Sequence, residues 1–365
     1  MQFTTPKEKI LNAVLLAEKI VGKKESLPVL SCILLEVEKD LSVRSTNLEA
    51  GVDIHVAGDV GQGGTVAVPA SILSQTLRVV SGDKVTIKLD GANLKVESRG
   101  SKTLIKAIPH DEFPALPAAK GGKGLKLSRT LFLQALQSVA YSASTSMIRP
   151  ELGSVYLSVK DEKLTAVATD SFRLAEKIVS DAFGTGSGDV LIPLKHVQEL
   201  MHILERLSSE SIELTIDDSQ LALSAGSLEF VSRIIDGNFP NYREIMPKEF
   251  TTEATLLKGD FAETLRKARV FSGADQHVGF HVYPKKRVFD VTAQSAAIGE
   301  MADSLEAAVS GDDIDVNFHI GYVADCLQSI PSDSITLGFS GAGKPLVIKG
   351  VSDGTFTYLV MPLNR

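Results

Sequence analysis

The strongest constraint on the fold is a pattern that recurs about every 124 residues. The middle copy reads Ala168-Thr169-Asp170-Ser171-Phe172-Arg173-Leu174-Ala175, which predicts a strand end, a tight polar turn and a second strand. Asp and Ser turn the chain by bonding their own backbone, which leaves Phe172 and Arg173 on the outside. Weaker copies place Asn47 at 123 positions before Asp170 and Gln294 at 124 positions after it. A chain of 365 residues with this spacing consists of three similar domains.

Hydrophobic periodicity predicts an α+β unit with two helices and roughly eight strands in each copy. The helices are predicted over residues 7–24, 71–80, 129–144, 194–207, 258–269 and 320–330. We expect a long strand from Leu27 to Val37, and inward-facing Leu104 and Ile108 near the end of the first copy. The predicted domains span residues 1–120, 125–247 and 252–365, and a Gly/Lys stretch from Lys120 to Gly124 looks like a linker.

The composition favours a soluble protein of a reducing, cytoplasmic compartment. Cys32 and Cys326, the only cysteines, lie far apart in apolar runs and support neither a disulfide framework nor a zinc knuckle. No apolar run approaches the length of a membrane span, and the N-terminus has no apolar signal core. We therefore expect no membrane association.

The net charge of −7 conceals a segregation of charge between helices and strands. The six predicted helices hold 13 basic and 7 acidic residues, a net of +6, so the remainder of the chain carries −13. Helices that faced the same way would form one positive surface within an acidic body, as a nucleic-acid-binding protein requires. The alternative is that helices simply accommodate Lys and Arg well.

No stretch of the sequence carries a catalytic constellation, and we expect no catalytic residues, no cofactor and no metal. The pairs His196/His202 and His277/His281 have no third ligand nearby, and for His277 and His281 satisfied surface histidines are the better interpretation. The glycine pairs at 61–64 and 341–343 predict hairpin turns, because neither leads into a phosphate-binding loop and helix.

Four motifs stand in order along the chain: Ser26-Leu27-Pro28-Val29-Leu30, Ala168-Thr169-Asp170-x-x-Arg173-Leu174-Ala175, Phe239-Pro240-Asn241-Tyr242-Arg243 with Pro247, and Tyr358-Leu359-Val360-Met361-Pro362-Leu363. With these motifs the chain resembles, over its full length, the bacterial DNA polymerase III beta subunit, the sliding clamp. The resemblance implies three tandem clamp domains, each with two helices packed on antiparallel sheets. It also implies a head-to-tail dimer that closes as a ring around duplex DNA, with helices lining the hole.

The implied function is that of a DNA polymerase processivity factor, nucleoid-associated in the cytoplasm, that slides on DNA without reading its sequence. Phosphate contacts give affinity through counterion release and carry no base information. Lys24 and Arg149 match DNA-contacting positions of the family, although either could be an ordinary surface charge. The implied partners are double-stranded DNA, the replicative polymerase, the clamp loader, repair polymerases, ligase-type proteins and a second copy of the chain.

The resemblance also implies a pocket for partner peptides with apolar anchors. The matching residues are Leu152, Thr169, Ser171, Phe172, Arg173, Leu174, Pro240, Ile245, Pro345, Val360, Met361, Pro362 and Leu363. Leu174, Val360 and Met361 could instead belong to the core. Val270 and Phe271 match the apolar pair with which the third domain meets the first domain of the next subunit.

The chain departs from the family pattern in two places. Ser171-Phe172 stands where the family usually has Gly-His, which makes the pocket lip bulkier and more apolar. Asn364 follows the terminal Met-Pro-x where the family often has Arg. Both departures concern peptide preference. Two other functions remain open: a monomeric three-domain peptide-binding scaffold that does not encircle DNA, and an enzyme acting on nucleic acid, for which we place no acidic metal cluster.

Overall fold

In a computed structural model, the same order of elements occurs three times along the chain. The structure describes residues 1–22, 27–116, 123–146, 148–180, 182–184 and 188–363. Within these residues each copy has one strand, a helix, five strands, a second helix and three strands. Each copy therefore has nine strands, where the sequence predicts roughly eight.

The first copy begins with a strand and a helix whose buried residues follow the helical period. Its elements are β1 (Gln2–Pro6), α1 (Lys7–Ile20), β2 (Cys32–Val37), β3 (Leu41–Thr46), β4 (Ala50–Val56), β5 (Asp59–Gln62), β6 (Gly64–Pro69), α2 (Ala70–Val79), β7 (Lys84–Asp90), β8 (Asn93–Ser98) and β9 (Ser101–Ile105). Two expectations for this copy are wrong. Residues Pro28–Ser31 form a 3-10 turn, because proline favours a first helical position, so the strand begins at Cys32. Ile105 rather than Leu104 is buried, because β9 faces the core in the other register.

The second copy repeats this order. Its elements are β10 (Lys123–Ser128), α3 (Arg129–Val139), β11 (Ser154–Lys160), β12 (Lys163–Thr169), β13 (Arg173–Val179), β14 (Ala182–Gly184), β15 (Gly188–Pro193), α4 (Leu194–Arg206), β16 (Ser211–Ile216), β17 (Gln220–Ala225) and β18 (Leu228–Arg233). The predicted linker is partly wrong, because Lys123 and Gly124 pair with Ile216 and Thr215 as the start of β10. Residues 120–122 lie outside the described residues.

The third copy has the same order with a longer third strand. Its elements are β19 (Thr252–Leu257), α5 (Lys258–Phe271), β20 (His277–Tyr283), β21 (Val288–Ser295), β22 (Gly299–Ser304), β23 (Ala307–Gly311), β24 (Ile314–His319), α6 (Ile320–Asp325), β25 (Ser334–Phe339), β26 (Leu346–Gly350) and β27 (Asp353–Val360). Gln294, expected to be in a turn like that of Asp170, instead pairs with Glu300 inside the β21–β22 ladder. The polar turn is therefore shared by the first two copies only.

The described chain forms two compact units, and each contains two antiparallel sheets. The first unit comprises Met1–Thr130, Ala182–Gly188 and Lys195–Ile234. Its sheets have the orders β5-β1-β7-β8-β9 and β14-β10-β16-β17-β18-β4-β3-β2-β6. The second sheet joins strands of two copies where β18 pairs with β4, with Ser232 opposite Ala50. We name this pairing the first seam.

The second unit comprises Leu131–Asp181, Asp189–Leu194 and Ile235–Arg365. Its sheets have the orders β15-β11-β12-β13-β27-β26-β25-β19-β23 and β22-β21-β20-β24. Here the nine-stranded sheet joins two copies where β27 pairs with β13, with Val360 opposite Arg173. We name this pairing the second seam. The two seams use equivalent strands, so the repeat extends to the way in which the copies are joined.

Candidate functional site

The turn from Thr169 to Arg173 closes the β12–β13 hairpin through its own side chains. Thr169 Oγ1 donates to the carbonyl of Arg173 at 2.6 Å and accepts from the Ser171 amide at 3.1 Å. Asp170 Oδ1 accepts from the amides of Phe172 and Arg173, both at 3.0 Å. Ser171 has a φ of 79°, a left-handed conformation that costs a non-glycine residue about 1 kcal/mol or more. These bonds offset that strain and hold Phe172 outward as an exposed side chain.

Arg173 is not on the outside, as the turn pattern predicts, but lies between two carboxylates. Its Nε is 3.0 Å from Asp170 Oδ2, and its Nη1 is 2.5 Å from Asp325 Oδ2. The guanidinium also lies over the ring of Tyr322, 4.5 Å from the centroid. Only 12% of the side chain is exposed, since the two ion pairs compensate the loss of water. Burial lowers the pKa of Arg173, but Tyr358, Asp325 and Asp170 raise it by more, so it stays charged.

On one face of the second seam, apolar side chains form a continuous floor. Leu174 packs with Val167, Tyr242, Val347 and Leu359. Tyr156, Phe239, Met246 and Phe250 pack around this cluster. Tyr242 is fixed in place because its hydroxyl donates to Glu176 Oε2 at 2.5 Å. The floor therefore has a defined shape, which a binding surface for apolar anchors needs.

Val360, which the sequence assigns to this floor, lies on the opposite face of the sheet. It pairs with Arg173, whereas Leu359 pairs with Leu174. Because side chains alternate along a strand, Leu359 and not Val360 contacts Leu174. The sequence analysis did not identify Leu359 as a floor residue. Both faces of this strand are covered, so Tyr358, Leu359 and Val360 are all apolar in character and lack the alternation that sets a register.

Phe172, Tyr322 and Met361 form a rim beside the floor. Phe172 is 59% exposed, and its ring is stacked near that of Tyr322 with centroids 6.5 Å apart. The Met361 amide donates to the carbonyl of Phe172 at 2.8 Å. The Leu363 amide donates to the carbonyl of Asn317 on β24 at 2.8 Å. Pro362 lies between them, half-buried. Tyr322 and Asp325 lie on α6, and no sequence motif marked them.

Pro240 and Ile245 flank the floor on the segment that carries Tyr242. Both are exposed. The Tyr242 amide donates a hydrogen bond to the Pro240 carbonyl, and the Ile245 amide donates one to the Tyr242 carbonyl. A pocket of about 260 Å³ lies beside them, and it is lined by Tyr156, Ser158, Lys160, Phe239, Pro240, Asn241, Tyr242 and Arg243. Leu152 is buried in its own loop, where its amide donates to the Arg149 carbonyl. Pro345 is buried just before β26.

The residues predicted to contact DNA and a second subunit are partly described. Arg149 is exposed, and Lys24 lies outside the described residues. Val270 is 62% exposed and Phe271 is half-buried at the last turn of α5. Phe271 lies against the start of β22, since a Cβ on Gly299 would be 3.8 Å from its ring.

The charge of the helices is smaller than predicted, because α1 ends at Ile20 and excludes Lys23 and Lys24. The six α-helices within the described residues hold eleven basic and seven acidic residues, a net of +4 against −7 for the whole chain. Charge is still segregated in the predicted direction.

One histidine of each pair, His196 and His281, has ordinary structural partners. His196 is buried, with Nδ1 2.8 Å from Ser232 Oγ. His281 contacts Asp315 at 2.6 Å and Thr292 at 2.9 Å. Over the described ranges, no three His, Cys, Asp or Glu side chains are grouped so that they could hold a metal ion. No helix in these ranges is long and apolar enough to cross a membrane.

Comparison with known proteins identifies one family along the whole chain. Three family models match in order: the N-terminal domain of the DNA polymerase III beta subunit at residues 1–117, the central domain at 126–241 and the C-terminal domain at 243–364. The beta sliding clamps of Bacillus subtilis and Escherichia coli are 24% and 25% identical, and each alignment covers 100% of both chains.

Solved structures show the same fold. The DNA polymerase III beta subunit of Thermotoga maritima has a TM-score of 0.95 at 24% identity, covering 100% of this chain and 99% of that one. A sliding clamp of Pseudomonas aeruginosa bound to griselimycin has a TM-score of 0.95 at 22% identity, covering 100% of both chains. The α+β fold with three tandem clamp domains is thereby confirmed.

Proposed function

The chain belongs to the DNA polymerase III beta subunit family, the bacterial beta sliding clamps, and we propose that two copies of it close a ring around duplex DNA. Members of this family are processivity factors and not enzymes, so the chain is a non-catalytic part of the replication machinery. The ring would keep the replicative polymerase on its template by topology. We assign the three domains to residues 1–120, 125–247 and 252–365.

The observation that carries this proposal is the pattern of strand pairing. Twice within the chain, the last strand of one copy pairs with the fourth strand of the preceding copy, as β18 with β4 and β27 with β13. Among the described strands, β9 and β22 are the remaining last and fourth strands, and each has a neighbour on one side only. An exposed strand edge is a template for pairing with another chain. Pairing β9 of one subunit with β22 of the next repeats the seam and gives a head-to-tail dimer.

The register of that pairing follows from the two seams. In the last hairpin of each copy, Val360 lies opposite Leu346, and Ser232 lies opposite Leu221. Ile105 lies opposite Leu94 in the same way, so Ile105 is the equivalent residue of β9. The residue of β22 that takes part in the pairing is found from the ladders of the third copy. Following the paired residues back from the start of α6, through β24, β20 and β21 to β22, shows that Gly299 is equivalent to Arg173 and Ala50. We therefore expect Ile105 opposite Gly299, and Thr103 opposite Met301, across the subunits.

Charge and exposed apolar surface favour this closure over the pairing of two identical edges. β9 carries the exposed Lys102, whereas β22 carries the exposed Glu300. Opposite charges on neighbouring strands stabilise a sheet, and like charges destabilise it. Val270 and Phe271 beside β22 would be covered in the dimer, which removes an apolar patch that is costly in a monomer.

We propose that the positive helices, together with Lys24 and Arg149, contact the phosphates of duplex DNA without sequence specificity. Such contacts involve counterion release and leave the ring free to slide. The chain would work in the cytoplasm, on the chromosome. The replicative polymerase, the clamp loader, repair polymerases and ligase-type proteins would bind the floor and rim of the second seam through short peptides with apolar anchors.

Cysteine cross-linking across the new seam tests the proposal. Cys32 and Cys326 are both buried, so a Thr103→Cys/Met301→Cys double variant offers one reactive pair. Facing residues of antiparallel strands have Cβ atoms about 4.5–5.5 Å apart, close enough for a disulfide after a small shift. We expect oxidation to give a covalent dimer that stays on nicked circular DNA at high salt and leaves when the circle is cut.

Controls separate the ring from the alternative of a monomeric scaffold. A Thr103→Cys/Ala302→Cys variant should cross-link poorly, because the second cysteine points to the other face. Phe271→Ala should weaken the dimer in sedimentation equilibrium, and an unchanged dimer would place the interface elsewhere. A protein that stays at monomer mass at all concentrations, or that leaves circular and linear DNA equally, would refute the ring.

A further inference from the structure

The four-stranded sheet of the second unit has one apolar face and one polar face. On the apolar face, the rings of Phe280 and Phe289 pack against Phe261 of α5. Because side chains alternate along a strand, His281 of β20 and Thr292 of β21 lie on the other face, away from α5. Both are half-buried, so a small molecule can reach them.

His281 lies between a hydroxyl and a carboxylate. Its Nδ1 is 2.6 Å from Asp315 Oδ1 on β24, and its Nε2 is 2.9 Å from Thr292 Oγ1. An ionised carboxylate only accepts hydrogen bonds, so Nδ1 of the neutral ring carries the proton and Nε2 accepts from the Thr292 hydroxyl. Tyr283 holds the carboxylate in turn, because its hydroxyl donates to Asp315 Oδ1 at 2.6 Å. A hydroxyl bonded to a base that a third group orients is the arrangement of an activated nucleophile.

Gly279 leaves space beside the hydroxyl and the base. A Cβ on Gly279 would lie 2.6 Å from Thr292 Oγ1 and 3.1 Å from His281 Nε2. Asn317 Oδ1 is 3.1 Å from the same point. With a half-turn of its amide, Asn317 presents Nδ2 there as a hydrogen-bond donor, the kind of group that stabilises a developing oxyanion. These residues come from three strands, so no single stretch of the sequence shows them together.

The other two copies fill this space with large side chains. Leu34 of β2 and Tyr156 of β11 are, like Gly279 of β20, the third residues of their strands. The residues paired with them are Arg44 and Val167, so neither copy has a hydroxyl at that place. The fold therefore forms without these polar groups. Of the three copies, the third combines a nucleophile, a base and open space.

We propose that Thr292 is a site of self-acylation by activated acyl donors, with His281 as the base. Thr292 Oγ1 attacks the carbonyl carbon of the donor, and its proton passes to His281 Nε2. Asn317 donates to the oxyanion of the tetrahedral intermediate, and Asp315 keeps the imidazole oriented. The leaving group then departs with the proton from His281, which leaves an acyl ester on Thr292. Each chain is modified once, so the reaction is not catalytic turnover, and it is independent of the proposed ring.

Labelling with p-nitrophenyl acetate tests the site. We expect a burst of about one nitrophenolate per chain, as one acylated hydroxyl requires, and an acetyl group on Thr292 in peptide mass spectrometry. Thr292→Val keeps the shape of the side chain and should lose this label, whereas Thr292→Ser keeps the hydroxyl and should retain it. His281→Gln should slow labelling about 100-fold, as removal of a general base does.

Two further variants separate the reaction from a structural role. Gly279→Ala leaves every reacting group in place but displaces the Thr292 hydroxyl, and it should slow labelling about 100-fold. Asp315→Asn should slow labelling at least about tenfold, and Asp315→Glu should restore part of the rate, because only a carboxylate holds the required tautomer. Thermal melting shows that each variant is folded. Acetyl groups confined to lysines, or a folded His281→Gln variant labelled at Thr292 as fast as wild type, would overturn the proposal.

Discussion

The floors below the two seams differ in what fills them. At the second seam, Leu174 and Tyr242 form part of an apolar floor with exposed residues at its edges. The equivalent residues at the first seam, 123 and 126 positions earlier, are Gly51 and Leu116. A Cβ on Gly51 would clash with Leu116 Cδ2, so Leu116 occupies the space that the missing side chain leaves. One backbone design thus gives a site filled by the chain itself and a site left open to a partner.

The polar groups of the two seams differ in the same systematic way. At the first seam, Ala50 and Ser232 take the positions of Arg173 and Val360, and Ser232 bonds to the buried His196. Burial lowers the pKa of His196, which keeps it neutral at pH 7. At the second seam the same place holds Arg173 and two carboxylates. The repeat supplies the scaffold, and side chains that do not alter the backbone distinguish a joint filled by the chain from the proposed binding site.

Filling the glycine at the first seam should have the largest effect on stability. We expect Gly51→Leu to lower the free energy of unfolding by about 3 kcal/mol, because the new side chain expels Leu116 from its position. Urea unfolding measures the loss. Adding Leu116→Ala to the same chain should recover part of it, because the smaller side chain makes room for the new leucine.

The matched change at the second seam is Leu174→Gly, which removes apolar contacts rather than creating a clash. It should weaken binding of an anchor peptide more than Gly51→Leu does. If Gly51→Leu were as stable as wild type, Leu116 would not be filling the first seam, and the contrast between the two floors would fail.

Removing Arg173 tests the charged half of the comparison. We expect Arg173→Ala to lower the free energy of unfolding by about 2 kcal/mol, since Asp170 is left largely buried without its cation while Asp325 regains water. Alanine itself is compatible with this backbone, because Ala50 occupies the equivalent position. Urea unfolding at neutral pH measures the loss, and Asp170→Asn provides the control, since Asn47 forms the same turn bonds at the first seam. A loss below about 0.5 kcal/mol would mean that the ion pairs only orient Tyr322.

Sequence alone predicted the scaffold well because the repeat constrains every copy at once. Asn47 and Asp170, 123 positions apart, do form matching turns, with Leu48 and Ser171 both at positive φ. The prediction failed at Gln294, because β21 is one residue longer than β12 and two residues longer than β3, and this extension moves the turn while it leaves the apolar pattern unchanged.

The site was predicted less completely, because its residues meet through contacts that leave no local pattern. Leu359 and Val360 are both apolar and buried, so only the pairing with β13 decides which one reaches Leu174. Tyr322 and Asp325 lie about 150 residues from Arg173 in sequence, and no motif connects them. Phe172 was identified because it departs from a family pattern, which periodicity alone would not have shown.

The smallest effect that we predict is a difference between the two seams in how the stability of the protein depends on pH. Glu199 lies on α4 in the first unit, and burial raises its pKa to about 7 from an ordinary 4.5, with Lys195 opposing and Glu49 adding to the rise. Its Oε2 is buried and has no hydrogen-bond partner among the residues that the structure describes. A carboxyl whose pKa is higher in the folded state binds protons more tightly when folded, so the protein loses stability as pH rises from about 4.5 to 7.

Glu199→Gln should remove that loss. We expect the variant to be more stable than wild type by about 1 kcal/mol at pH 8, discounted for the partial exposure of the side chain, and equally stable near pH 4.5. Because both proteins keep His196, its own titration cancels in the difference. At the second seam, burial and Arg173 lower the pKa of His319, so the stability gap between wild type and Arg173→Ala should narrow as pH falls from 8 to 6. A pH-independent gain from Glu199→Gln would instead show that Gln improves local packing, and that the first seam does not titrate.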